Sequence, residues 1–169
     1  MELIVAVGIA VSLLLVASAA IGGGLEAARA GAARSDLVGS LALAATRAAV
    51  TGRHGVLCPS HDGATCTGAD DWTPGWIVFL DVDEDGLADP GERRLQRVPA
   101  LAGRVRLRST AGRTRVTFQG NGGNAGSNLT FTLCDGRGPA KARALVLSNS
   151  GRLRDSPADA AAAAATCPP

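Results

Sequence analysis

Apolar and polar positions follow three regimes along the chain. From Leu3 to Ile21 the residues are almost continuously apolar, with Glu2 at the edge and no further formal charge until Glu26. About 20 such residues suffice to cross a ~30 Å hydrocarbon core as a helix. Three glycines at 22–24 follow, and each costs roughly 1 kcal/mol inside a helix, so a hinge or a melted turn is expected there. From Leu25 to about Val50 the helical period returns. Leu37, Leu41, Ala44, Ala45 and Ala48 share one apolar face, while Glu26, Arg29, Arg34, Ser40 and Arg47 mostly lie elsewhere. A single helix over 2–50 would be ~70 Å long, its outer half laid on a globular part and its inner half free.

Beyond Gly52 the period falls to that of strands. GWIVFLDVD (75–83) reads as a buried strand, and LTFTLC (129–134) as another. RVRLRS (104–109) and RTRVTF (113–118) flank a TAG turn and read as a hairpin. Pairing 109 with 112 sets Arg108 opposite Arg113 and Arg106 opposite Arg115. Opposed like charges destabilise, so an acidic cover is expected, either the chain's own Asp-rich loop or an external polyanion. QGNGGNAGSN (119–128) reads as a hairpin connection, and 142–154 as a strand, a turn at Asn149–Gly151 and a basic tip. The fold class is α+β, a long N-terminal helix packed on C-terminal antiparallel sheets. The expected organisation is 1–24 apolar helix, 25–52 amphipathic helix and 53–169 β-rich domain.

Composition sharpens this picture. Tyr is absent and aromatics are 3%. The core must be Val, Leu and Ala around Trp72, Trp76, Phe79, Phe118 and Phe131. The net charge of +2 conceals a split. Residues 1–92 hold four Arg against twelve Asp and Glu, a net of −8. Residues 93–169 hold twelve Arg and Lys141 against Asp135, Asp155 and Asp159, a net of +10. Such asymmetry points to an anionic partner, or to halves that face each other.

Four cysteines allow three pairings. A membrane segment implies export of the rest, where disulfides persist. Cys58 and Cys66 close one tight loop, which leaves Cys134 with Cys167. No C-x-x-C pair favours zinc. DVDEDGLADPGE (81–92) sets Asp81, Asp83, Asp85, Asp89 and Glu92 at the spacing of a calcium loop, with Gly86 at the sharp turn. The flanks read as strands rather than the paired helices of an EF-hand, so the competing reading is a polar turn whose carboxylates meet arginines. Calcium is the one cofactor considered. His54 and His61 flank Cys58 and read as surface loop. No nucleophile–base–acid set and no phosphate loop is present, so an enzyme is not expected.

The start, MELIVAVGIA, resembles that of a type IV pilin or type II secretion pseudopilin. VLCPSHDGATC, WTPGWIVFLDVDEDGLADPGE, CDGRGPAKARALVLSNSGRLR and the late Cys167 extend the resemblance to the FimT/FimU and GspH-like minor pilins. In that family a short basic leader is cut after Gly and the mature chain begins Phe-Thr-Leu-(Ile/Met)-Glu-Leu. Met1 and Glu2 match the (Ile/Met)-Glu positions of that start, and prepilin peptidase is an expected partner if a leader exists upstream. The resemblance implies that Glu2 forms a salt bridge to the N-terminal amine of a neighbouring subunit. A carboxylate at a bilayer edge needs such a partner, because burial of an unpaired charge is costly. It further implies a pilin fold and residence in the inner membrane, single-pass with a periplasmic domain. Assembly with major and minor pilins would follow on an inner-membrane platform, ending at the pilus and cell surface. In FimT-like pilins a G-R-x-R element is implicated in DNA binding during natural transformation. That element lands here on Arg152 and Arg154, with Lys141, Arg143 and Arg137 as neighbours in sequence. Two arginines at i and i+2 on a turn or strand end point the same way and meet phosphates rather than bases, so binding is expected to be sequence-tolerant. The alternatives are a type II secretion minor pseudopilin of the same fold and a membrane-tethered calcium-binding module.

Overall fold

The structure is a computed structural model that describes residues 2–121, 123–126 and 128–167; the side chains of 2–6 and 9–21, that of Glu2 among them, lie outside the described set. One helix, α1, runs from Glu2 to Thr51. It passes through Gly22–Gly24 without a break, contrary to the hinge expected there. Extending a long helix needs only one more residue's ordering per hydrogen bond, which carries it across weak formers.

Among the described residues eight strands form two antiparallel sheets. The first comprises β1 (His54–Pro59), β2 (Trp76–Asp81), β3 (Arg94–Val98) and β5 (Val116–Phe118), in the order β3-β2-β1-β5. The second comprises β4 (Arg106–Ser109), β6 (Leu129–Cys134), β7 (Arg143–Leu147) and β8 (Leu153–Pro157), in the order β4-β6-β7-β8. A short helix, α2 (Ala160–Thr166), follows; Asp159 caps its start by accepting from the Ala162 amide.

The hairpin expected across the TAG turn does not form. The turn itself is present, closed by the Arg113 amide donating to the Thr110 carbonyl. Its arms then part, β4 pairing with β6 and β5 with β1. Segment 119–128 likewise carries the chain back from the first sheet to the second rather than joining paired strands. The alternation explains this outcome: Val116 and Phe118 are buried in the main core against α1, Val116 in register with Leu57 of β1, and the arginine ladder that a hairpin would impose is avoided. Arg108 instead lies across from Thr132 and binds Asp70 at 2.8 Å.

Both sheets turn their inner faces to one side of α1. Ala30, Ala33, Leu37, Leu41, Ala44 and Ala48 are buried against Leu57, Trp76, Val78 and Phe118 of the first sheet and Phe131, Leu145 and Leu147 of the second. Burying Leu37 or Leu41 contributes about 1.5–3 kcal/mol each. The small residues set the spacing: a Cβ on Gly55 would stand 2.3 Å from the Ala44 carbonyl oxygen, so β1 rests directly on helix backbone. Trp72 meets Phe131 edge-on at 5.0 Å.

Ser40 sits on this buried face, not on the polar side where its residue type placed it. It is fully buried; its hydroxyl accepts from Trp76 Nε1 at 2.9 Å and has the Asp36 carbonyl at 2.7 Å and Gln96 Oε1 at 3.0 Å as acceptors for its own hydrogen. The second tryptophan is matched in the same way, Trp72 Nε1 donating to Ser109 Oγ at 3.0 Å.

The outer face of the first sheet carries a smaller core of Val56, Cys58, Ile77 and Phe79. The Cys58–Cys66 disulfide straps a loop over it. Arg94 lies above Phe79, 5.7 Å from the ring centroid, and donates to the carbonyls of Ala64, Ala88, Asp89 and Glu92. On the second sheet, Cys134–Cys167 ties α2 down beside Ala142 and Ala163.

At the start of the packed half of α1, Glu26 accepts from Arg29 at 2.8 Å and from the Gly136 amide at 3.0 Å. The Gly136 bond, with help from Arg29, holds the Glu26 carboxyl below its ordinary range. Folding therefore favours the carboxylate. That contribution is full above the ordinary carboxylate pKa, shrinks as pH falls through the lowered folded value, and is gone once the group is protonated in both states.

Two outcomes are expected. Ser40→Ala leaves the buried Trp76 indole donor unmatched and should cost about 1–3 kcal/mol, read as a shift of the urea midpoint at unchanged slope. Glu26→Gln should destabilise at pH 7, with the difference from the parent shrinking as pH falls below the ordinary carboxylate range; a deficit that does not change with pH contradicts the assigned role.

Candidate nucleic-acid interface

The β7–β8 hairpin presents Arg152 and Arg154. Gly151 takes φ 76°, a conformation open to glycine, and its amide donates to the Ser148 carbonyl, which closes the turn. Leu153, between the two arginines, packs on the main core. Strand alternation then sends Arg152 and Arg154 to the opposite side, where both are exposed. Their backbones are fixed: the Arg152 amide donates to Ser148 Oγ at 3.1 Å, and Arg154 lies in register with Val146.

The turn is also tied sideways. The Asn124 amide donates to the Asn149 carbonyl at 2.9 Å, and the Asn149 amide donates to Asn128 Oδ1 at 3.2 Å. The 119–128 segment in turn approaches the end of α1, where a Cβ on Gly120 would stand 3.1 Å from Gly52 Cα. The arginine turn therefore lies at the end of the domain farthest from Glu2.

The other three basic residues expected beside this pair are placed elsewhere. Arg137 belongs to the Gly136 loop held by Glu26, ~38 Å along α1 from Thr51 at 1.5 Å per residue. Its guanidinium forms two bonds to Asp135, at 2.9 and 2.7 Å, and these hold the Asp135 carboxyl below its usual range. Arg143 binds Asp155 through Nε at 2.8 Å, and Arg34 of α1 binds the same carboxylate at 2.7 Å. Lys141 closes a 3-10 turn at Pro139–Lys141 and is exposed. The Asp155 contact was not anticipated, although its signal is in the sequence. Once the turn is set at 149–151, antiparallel register puts 155 across from 145, one diagonal step from 143.

Among the described residues Arg152, Arg154 and Lys141 form no salt bridge, whereas Arg29, Arg34, Arg108, Arg137 and Arg143 each do. The hairpin pair is thus available to an external anion.

The acidic loop after β2 is organised by its own carboxylates. Asp81 is buried and accepts from the amides of Glu84 and Gly86; Glu92 accepts from those of Val82 and Asp89. Asp81, Asp83 and Asp85 each offer an oxygen within 4.8 Å of the others. Asp89 and Glu92 fall outside that group. Arg115 donates to the Gly86 carbonyl at 2.8 Å, so one arginine of the former hairpin expectation meets this loop by its backbone. His54 begins β1 and stands 3.9 Å from Glu84, while His61 is exposed. A cleft of about 540 Å³ opens between β4, β6 and α2, but its one guanidinium, Arg108, is already bound to Asp70.

Among the described residues no helix is long and apolar enough to cross a membrane; most side chains of 1–24 lie outside that set. No curated relative matches the chain in sequence. Among solved structures the fold is similar to the type IV minor pilin FimU of Pseudomonas aeruginosa, with 19% identity, a TM-score of 0.60, and coverage of 75% of this chain and 87% of that one. It is also similar to the minor pseudopilin EpsH from the Type 2 Secretion System of Vibrio cholerae, with 14% identity, a TM-score of 0.54, and coverage of 76% and 97%. At these identities the likeness is one of fold. A sequence model of the type II transport protein GspH matches residues 23–151, well over half of the chain. The chain belongs to the GspH family of type II transport proteins.

Proposed function

We propose that this chain is a minor type IV pilin that captures DNA through Arg152 and Arg154. Proteins of this family are structural subunits rather than enzymes. The observation that carries the reading is the pair of exposed, unpaired guanidinium groups held on a fixed turn at the far end of the domain. Residues 1–24 hold the subunit in the inner membrane before assembly and in the filament core afterwards, and Glu2 sets its register against the neighbouring subunit. The arginine end is then carried outward with the periplasmic domain. Contacts to phosphate oxygens bind any sequence and weaken steeply with salt.

The Arg152→Gln, Arg154→Gln double variant should lose most duplex binding in a gel shift and, in a deletion strain, DNA uptake at normal pilus number. Binding as tight as the parent removes the site. Glu2→Ala should block incorporation into pili; normal incorporation counts against the register role.

The second reading is a subunit of the type II secretion machinery, favoured by the description of the matching family model. A deletion strain that keeps uptake and loses export of secreted proteins decides for it.

A further inference from the structure

The chain carries sixteen arginines and one lysine, and the structure divides them. Among the described residues five form ion pairs, Arg29, Arg34, Arg108, Arg137 and Arg143, and Arg53, Arg94, Arg106 and Arg115 donate to backbone carbonyls. Around the β7–β8 turn a different situation holds. Residues 93–134 and 136–154 contain no Asp or Glu, so no acid of these segments competes for their arginines. Among the described residues one further guanidinium without a hydrogen-bond or ion partner reaches this place: Arg113. It closes the turn after β4, which the second sheet holds through the Thr110 amide donating to the Thr130 carbonyl at 2.9 Å.

Its backbone is held at both polar groups. The amide donates to the Thr110 carbonyl, and the carbonyl accepts from Ser109 Oγ. The head lies against the 119–128 segment, where a Cβ on Gly126 would stand 3.3 Å from Nη1. Two residues later Asn128 accepts from the Asn149 amide of the arginine turn. Continuing the strand register aligns Asn128 with Ser148 and Ser148 with Arg152. This row crosses β6, β7 and β8 on the side away from the core. Strands stand ~4.8 Å apart, so it spans roughly 10–15 Å from Arg152 to Arg113. Phosphates of one strand advance ~3.4 Å along the helix axis and stand farther apart along the backbone, so a row of this length meets a few successive phosphates.

We infer that Arg113 is a second phosphate anchor, and that a nucleic-acid backbone lies across the end of the second sheet from Arg152 and Arg154, over Ser148 and Asn128, to Arg113. The inference rests on the DNA-binding reading and extends it to a residue outside the G-R-x-R element. The row offers hydroxyl and amide groups between cations at its two ends, which suits a chain of evenly spaced anions. On the far side of Arg115 the acidic loop after β2 repels the same ligand, which fixes the side of approach.

The test uses the full chain in non-ionic detergent and a fluorescein-labelled 20-base-pair duplex, with affinity measured by anisotropy across a sodium chloride series. Arg113→Gln should weaken binding and lower the slope of log affinity against log salt by about one. Arg113→Lys keeps the charge and should keep the parental slope. Arg47→Gln, an exposed arginine on α1, should change neither. A parental slope in Arg113→Gln, beside lost binding in the Arg152/Arg154 double variant, overturns the second anchor and leaves the first site standing. Parental binding in the double variant overturns both. Equal loss in the Lys and Gln variants of Arg113 means that shape, not charge, was removed, and also overturns the inference.

Discussion

Everything in the domain depends on one helix face serving as the core wall for two sheets. The stripe from Ala30 to Ala48 sets Leu37 and Leu41 between pairs of alanines, and at Ala44 the first sheet closes on helix backbone through Gly55. A wall that narrow leaves little room for error. Enlarging Gly55 would push β1 away from Ala44, and with it β2 and β5, which pair on either side. The buried polar contact at Ser40 belongs to the same constraint. It matches the donor of Trp76, the large residue that fills the space between α1 and the first sheet. An unmatched indole there would lose more than the bond contributes, because a buried donor without a partner carries its full desolvation cost.

The helix is also the ruler that separates the ends of the domain. Glu26 holds the Gly136 loop near one end, and Gly52 meets Gly120 near the other. Basic residues close in sequence are thereby distributed. Arg137, Arg143 and the Asp155 cluster brace the sheet and helix, while Arg152 and Arg154 stand clear at the far end. The Arg34 and Arg143 braces on Asp155 are half-exposed ion pairs, worth up to about 1 kcal/mol each, so their main effect is on geometry rather than stability. Arginine suits both tasks. Its planar fork fills a carboxylate bidentately at Asp135, gathers four carbonyls at Arg94, and meets phosphate oxygens when left unpaired.

The split of charge between the halves of the sequence has a partly internal resolution. Asp70 covers Arg108, Glu26 covers Arg29, and the acidic loop receives Arg53 and Arg115 at its carbonyls. The acids of the first half thus meet arginines of both halves. Arg113, Arg152 and Arg154 stay clear of carboxylates among the described residues, and their location, not the total charge, is what bears on ligand binding.

The helix, its apolar face, the strands at 75–83 and 129–134 and the last hairpin turn were legible in the residues, because each is a local periodicity of 3.6 or 2 bounded by turn formers. Both cysteine pairs followed from proximity and elimination. The pairing of strands was not local. The segments at 104–109 and 113–118 look like a hairpin, yet each found its partner in a different sheet, since burial of Val116 and Phe118 against α1 outweighs closing a tight turn between like charges. Ser40 was misplaced for the same reason: its residue type speaks of solvent, and only the indole of Trp76, distant in sequence, makes it a core residue. The arginine pair was readable as a motif, but its freedom from carboxylates was not. Which charges remain unpaired depends on which side chains meet across strands and across α1, and distances of that kind exist only once the chain has folded.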